Sequence, residues 1–358
     1  MRRIFAAAAM ALTLAACTTG VAVSPSASPS AEPSPSVAIP KSPEPSPTES
    51  PSAGPAWEGH PAAGLALVQF PDPSSPASQV FVVEADGTLR QITGSSTSFN
   101  GASLPTWSRD RTQLAFHGPK VGGTGIKGQI GVVNADGSGE RQVGEGRDVH
   151  WSADGTRILF GEVDDVTSEP PSMYLLDLTS GELTDLGQGF MPTWLPGEEG
   201  ITFLGTVELG GGALTTATFT MSLDGGEPVE LARETEAAWA PDGSAIALAH
   251  EGTISLADAD GSAARELVDG YSPIWSPLSD RILIGYDTSQ DGYPVLALVD
   301  LDGERLWSGA VGQAPTWSPD GTRVAVEVGF PEPMVQVLDA ASGEVLWEIA
   351  GQQPSWTQ

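Results

Sequence analysis

The sequence predicts an all-β chain folded as a ring of seven four-stranded antiparallel blades, a seven-bladed β-propeller. Three observations carry this expectation. First, a unit of the form Pro-x-Trp-Ser-Pro-x-Gly followed by a short apolar strand recurs, as in LPTWSRDRTQLAF at 104–116, VHWSADGTRILF at 149–160 and APTWSPDGTRVAV at 314–326. Second, its tryptophans, Trp107, Trp151, Trp194, Trp239, Trp275, Trp317 and Trp356, are separated by 44, 43, 45, 36, 42 and 39 residues, a period of propeller blades rather than of helical solenoids. Third, each unit carries four short strand signals and no helical period.

The unit at Trp107 shows how each element is read. An extended segment ends at Trp107, Ser108 to Thr112 make a tight turn, and Leu114 to Phe116 form a short buried strand. A loop then leads to QIGVVNADGSGERQV (129–143), two strands flanking an Asp136-Gly137 turn, a dipeptide suited to tight hairpins. The third-strand run recurs as VFVVEADGTLRQI (80–92), MYLLDLTSGELTDL (173–186) and VLALVDLDGERLW (295–307). Such runs are nearly continuous in Val, Leu and Ile because neighbouring blades cover both faces. The register tryptophans are expected to pack between blades; Trp57, Trp307 and Trp347 lie outside the register and are freer candidates for exposure. At the ends, GLALVQF (64–70) lacks a Trp strand before it and PSWTQ (354–358) has nothing after it. The two fragments complete one blade, with the C-terminal strand innermost, and so close the ring without open edges.

The PTWSPDG-then-strand unit resembles the repeat of TolB-type, WD-like β-propellers over roughly residues 57–358. The resemblance implies the fold, while its members serve binding, scaffolding and enzyme-associated roles alike. No room is seen for the α/β domain that precedes the propeller in TolB, and no peptidase domain is expected after Gln358.

Three segments divide the chain. Residues 1–16 read as a signal peptide, with Arg2 and Arg3 before an apolar Ile4–Leu14 stretch too short to span a bilayer. Leu14-Ala15-Ala16-Cys17 resembles a bacterial lipobox, and Cys17 is the only cysteine, so acylation of Cys17 is expected to anchor the protein to a membrane of the cell envelope. Residues 18–56, rich in Ser, Pro and Ala, cannot bury a core and read as a disordered stalk. The propeller follows from residue 57.

Sixteen basic against 46 acidic residues give a formal net charge of −30. This excludes nucleic acid as a partner and opposes electrostatic attachment to anionic lipid. There is no Gly-x-Ser-x-Gly elbow, the nearest string being GASLP at 101–105. The four histidines, His60, His117, His150 and His250, fall at no metal-ligand spacing. DTSQDG (287–292) opens like a calcium loop, but position twelve falls on Leu298. No metal, cofactor or catalytic set is expected.

Loop length distinguishes the two faces of the ring. Turns after each Trp and the Asp-Gly turns are short and alike. The opposite face carries longer, dissimilar connections at 71–78, 117–128, 161–172 and 205–218, and binding residues concentrate on such loops. Residues entering the inner strands there are the candidate binding face: Asn100, Arg147, Asp148, Phe190 and Glu234, then Glu236, Tyr271, Gln313 and Gln352, with His150 as the one histidine near the channel. The expected function is a monomeric, lipid-anchored envelope propeller that binds a protein partner. The alternatives are a carbohydrate-binding or hydrolase/lyase-type propeller using the same face, and a structural surface protein.

Overall fold

The recurring Trp-Ser-x-Asp-Gly string builds a self-satisfied turn. Ser108 Oγ donates to Asp110 Oδ1 at 2.7 Å, and the same oxygen accepts the Thr112 N–H at 3.0 Å. The arrangement repeats at Ser152, Asp154 and Thr156 (2.6 and 2.9 Å) and at Ser318, Asp320 and Thr322 (2.6 and 3.0 Å). The fourth residue after the Trp is left-handed in six blades, with φ of +67° at Gly155 and +68° at Gly321, which is why the motif favours glycine. Two of the three other residues that stand there bridge blades: the Glu198 carboxylate accepts the Ala153 N–H, and Ser279 Oγ accepts the Asp242 N–H at 3.1 Å.

The computed structural model describes residues 59–72, 77–94, 99, 101–119, 128–162, 171–210, 212–224, 226–233, 235–329 and 331–356. The signal segment 1–16, Cys17, the stalk 18–56 and Trp57 lie outside the described residues, as do Asn100 and Glu234. The described residues form seven four-stranded antiparallel sheets and contain no helix. The chain is a seven-bladed β-propeller. Blade 1 is the composite one: Gln352–Ser355 pairs with Ala66–Gln69, followed by Gln79–Val83 and Leu89–Gln91. Blades 2 to 7 begin with the inner strands Ser103–Trp107, Arg147–Trp151, Phe190–Trp194, Glu236–Trp239, Tyr271–Trp275 and Gln313–Trp317.

One expected loop is a strand extension. Residues 205–210 and 213–218 continue the blade 4 hairpin of Gly200–Gly210 and Ala213–Ser222, with Gly205 opposite Ala217 and Gly210 opposite Ala213. Thr206, Val207, Thr215 and Thr216 supply the β-branched side chains that sustain pairing.

The core lies between blades rather than at the centre. Six clusters of buried apolar residues each join two neighbours, for example Val68, Val82, Trp107 and Phe116 across blades 1 and 2. Leu298, Trp307, Trp317 and Val324 do so across blades 6 and 7. Every register tryptophan except Trp239 packs into one of these six clusters, on the side of the preceding blade. Three indole N–H groups also cross to the preceding inner strand: Trp151 to Thr106 O (2.9 Å), Trp194 to His150 O (3.2 Å) and Trp275 to Ala238 O (2.8 Å). Among the described residues, the seam between blades 4 and 5 carries no such cluster. Trp239 there is half-buried, and its indole N–H turns to Ala259 O of its own blade at 3.4 Å.

Of the tryptophans outside the register, Trp307 is buried and donates to Ala340 O at 2.9 Å. Trp347 is half-buried, meeting the His60 ring edge-on at 5.1 Å. Freedom from the register therefore does not mean exposure: outer strands also face a neighbouring blade.

Candidate functional site: the channel mouth and the blade 4–5 cleft

On the loop face the inner strands begin with a shared distortion. The third residue before the Trp is left-handed in six blades: Leu104 (+48°), Asp148 (+56°), Met191 (+49°), Ser272 (+48°), Ala314 (+47°) and Gln353 (+51°). Each lies where the pairing register slips by a bulge, as between Arg147 and His150. A non-glycine residue in this region costs roughly 1 kcal/mol or more, so the ring accepts that cost six times. In blade 5 the equivalent residue is Glu236. Its strand pairs regularly, with Glu236 opposite Ala249 and Trp239 opposite Ile246.

This ring of residues, one per blade, surrounds the mouth. Leu104, Asp148, Met191, Glu236, Ala314 and Gln353 all line a cavity of about 390 Å³. Deeper in, Thr106, Val149, His150 and Thr193 continue the wall. On one side the cavity also runs along blade 4, past Thr202, Phe203, Leu204 and Thr218, to Ala237 of blade 5. The space thus enters the seam that, among the described residues, lacks an apolar cluster. Leu104 and Met191 hold their side chains in solvent at the rim, 44% and 62% exposed.

Of the sequence-derived candidates, Asp148, His150 and Glu236 line the cavity. Arg147, Phe190, Tyr271, Gln313 and Gln352 sit one residue earlier and do not. They lie opposite second-strand residues instead: Arg147 faces Gly161, Phe190 faces Leu204, Tyr271 faces Gly285, Gln313 faces Glu327 and Gln352 faces Val68. Tyr271 also donates its hydroxyl to Asp287 O at 2.7 Å. The bulge explains the offset, because it turns the following residue toward the axis.

Sequence reading missed His117, Leu104, Met191, Ala314 and Gln353. His150 is not alone among histidines at the channel, since His117 lines the cavity as well. The ten-residue offset from each Trp would have revealed it: that offset gives Gly161, Leu204, Ala249 and Gly285 elsewhere, but His117 in blade 2 and Glu327 in blade 7.

The electrostatics are uneven around the mouth. Burial pushes the His117 pKa below the ordinary histidine value, helped by the Arg147 charge and opposed by Asp148. Its ring is therefore neutral at pH 7 and offers an acceptor. Desolvation by the channel walls pushes the Glu236 carboxyl upward, against a hydrogen bond from Ser272 Oγ at 3.2 Å. Glu236 is accessible to water and yet flanked by protein, which is the usual condition of a channel-lining acid. On the opposite arc, Glu327 accepts from Gln313 Nε2 and from the Gln353 N–H, both at 2.8 Å, while Gln353 Oε1 accepts the Leu104 N–H at 2.8 Å. Blades 7, 1 and 2 are thereby tied together at the mouth. Among the described residues no three His, Cys, Asp or Glu side chains gather to hold a metal ion.

No protein-family model and no curated protein matches the sequence. Solved structures do match in fold. An oligogalacturonate lyase from Vibrio parahaemolyticus aligns over 80% of this chain and 86% of its own, with a TM-score of 0.56 and 14% identity. A putative 6-phosphogluconolactonase from Bacteroides uniformis aligns over 81% and 97%, with a TM-score of 0.54 and 12% identity. TolB from Acinetobacter baumannii aligns over 82% of this chain at 15% identity and a TM-score of 0.48, and this chain spans 66% of that protein. At these identities the likeness is one of fold.

Proposed function

We propose that the chain is a lipid-anchored, extracytoplasmic propeller that binds a protein partner at its channel mouth. The observation that carries this reading is the rim itself. Leu104 and Met191 are large apolar side chains kept out of the core by left-handed backbone and presented to solvent beside a cavity of about 390 Å³. Exposed apolar anchors over a pocket, ringed by polar groups, are the makings of a protein-interaction hot spot. Strain held at such a ring supports a binding role. The lone Cys17 in a lipobox-like string and the Ser/Pro-rich 18–56 segment support tethering to an envelope membrane.

An acidic oligosaccharide would meet Asp148 and Glu236 as like charges, so the lyase and lactonase neighbours lend this chain no substrate.

Crosslinking from native envelopes tests the reading, with the full chain and a Leu104→Asp/Met191→Asp variant as parallel baits. A saturable protein captured by the first and lost by the second is the expected result. Equal capture by both, with unchanged melting, removes the mouth as the binding surface.

A further inference from the structure

The blade 4–5 seam is built differently from the other six, and the difference is chemical. Aligning second strands eight residues after each Trp gives Ala115, Leu159, Ala247, Leu283 and Ala325, but Thr202 in blade 4. On the third strands, the positions paired with the ten-residue offset are Ile130, Met173, Ile254, Leu296 and Val335, but Thr218 in blade 4. Two buried positions that elsewhere seal a seam with hydrocarbon thus carry hydroxyls here, and both line the cavity.

Those hydroxyls have already spent their hydrogens. Thr202 Oγ1 donates to Phe219 O at 3.0 Å, and Thr218 Oγ1 donates to Thr235 O at 2.6 Å. What they offer the cavity is lone pairs. The channel cavity into which the cleft opens adds two carboxylates, Asp148 of blade 3 and Glu236 of blade 5, and the His117 ring of blade 2, whose pKa burial lowers. Met191, Leu204 and Ala237 supply hydrocarbon on the blade 4–5 side. Acceptors and negative charge on apolar walls call for a guest with several N–H donors, positive charge and an apolar stem. The chain's formal charge of −30 attracts such a guest from a distance.

We infer that the blade 4–5 cleft is the anchor subsite of the mouth and takes a basic side chain, lysine or arginine, presented by the partner protein. This rests on the mouth being the partner-binding surface. The stem lies against Met191 and Leu204 while the charged head reaches Glu236 and the threonine oxygens. Arg147, exposed at the rim, is the cation that the guest must avoid.

Methyl NMR of the full chain tests this, with Met191 as the reporter. The probes are blocked pentapeptides, Gly-Leu-x-Leu-Gly, with lysine, arginine, acetyl-lysine or norleucine at the centre. Lysine and arginine peptides are expected to shift the Met191 methyl saturably, and the two neutral peptides to bind at least about tenfold more weakly. Glu236→Gln and Thr202→Ala/Thr218→Val are expected to weaken the lysine peptide about tenfold or more, with the fold checked by the remaining methyl signals. Equal binding of the lysine and norleucine peptides, variants without effect, or no shift with any probe each overturns the cationic subsite. The Leu104→Asp/Met191→Asp bait separates the two claims. A partner lost from that bait but indifferent to Glu236→Gln leaves the mouth standing and removes the subsite alone.

Discussion

Among the described residues, six seams of this ring carry an apolar cluster and the seam between blades 4 and 5 does not. Between blades 2 and 3, Trp151 is buried among Ile130, Val132 and Phe160, and its indole N–H bonds the inner strand of the preceding blade. Between blades 4 and 5, Trp239 is half-buried, its indole N–H stays within its own blade, and Thr202 and Thr218 stand where hydrocarbon stands elsewhere. A propeller needs its seams for stability, because each blade buries its faces only against its neighbours. Placing hydroxyls at two of the buried positions of that seam, beside the fully buried Ile246, gives up stability locally. The space so kept joins the channel mouth, where the side chains suited to binding also lie.

The largest effects should come from breaking a sealed seam. Trp151→Ala is expected to cost about 3–5 kcal/mol through the cavity it leaves, and Trp239→Ala less than about half of that. Denaturant midpoints measure both, and equal losses would mean that the seams are equivalent. Gly146 tests the sealed seam in a second way. It is the single residue between the outer strand Arg141–Glu145 and the inner strand Arg147–Trp151, and a Cβ there would sit 2.6 Å from Gly161 O. Gly146→Ala should cost about 1–3 kcal/mol, read by the same midpoints.

A smaller effect comes from sealing the open seam. Thr202→Ala/Thr218→Ile installs residues that other blades carry at these positions. The gain in apolar packing offsets the loss of the hydrogen bonds to Phe219 O and Thr235 O, so stability should move by less than about 1 kcal/mol. Binding of the lysine peptide should fall at least about tenfold. Loss of binding without loss of stability is the signature of a cleft kept for a ligand.

The mildest test is pH. Asp154 is held below the usual carboxylate range by the Ser152 hydroxyl and then by the Thr156 N–H. Its contribution to stability is complete above the unfolded pKa of about 3.9 and is lost as pH falls through the lower folded value. Glu236 is displaced the other way by desolvation, so it loses its charge above the ordinary glutamate value of about 4.3. On acidification, titrations should show peptide binding fading first, and circular dichroism should show the ring unfolding later. Simultaneous loss would deny Glu236 a part in binding.

Much of this was legible before the structure. The Trp register sets the blade count, and the unmatched strands at 64–70 and 354–358 announce the closure. The open seam is legible too, in retrospect. Gly146, Gly189, Gly270, Gly312 and Gly351 stand five residues before their tryptophans and blade 2 has the small Ala102, whereas blade 5 has the charged Glu234 there, outside the described residues. Thr202 and Thr218 break an apolar column that becomes visible only once the pairings align the strands. Sequence reading placed Asp148 and Glu236 at the cavity but stopped one residue short at Phe190, Gln313 and Gln352, because a bulge that turns the next residue left-handed cannot be read from alternation. His117 was missed because channel walls draw on second strands as well as inner ones.

The most direct test is amide hydrogen exchange of the full chain, comparing the inner strands Glu236–Trp239 and Arg147–Trp151 with and without the lysine-centred peptide. Exchange reports the local opening free energy of each seam. Exchange should be faster in Glu236–Trp239 than in Arg147–Trp151, with selective slowing of the former when peptide is bound. Equal protection of both strands, unchanged by peptide, would contradict it.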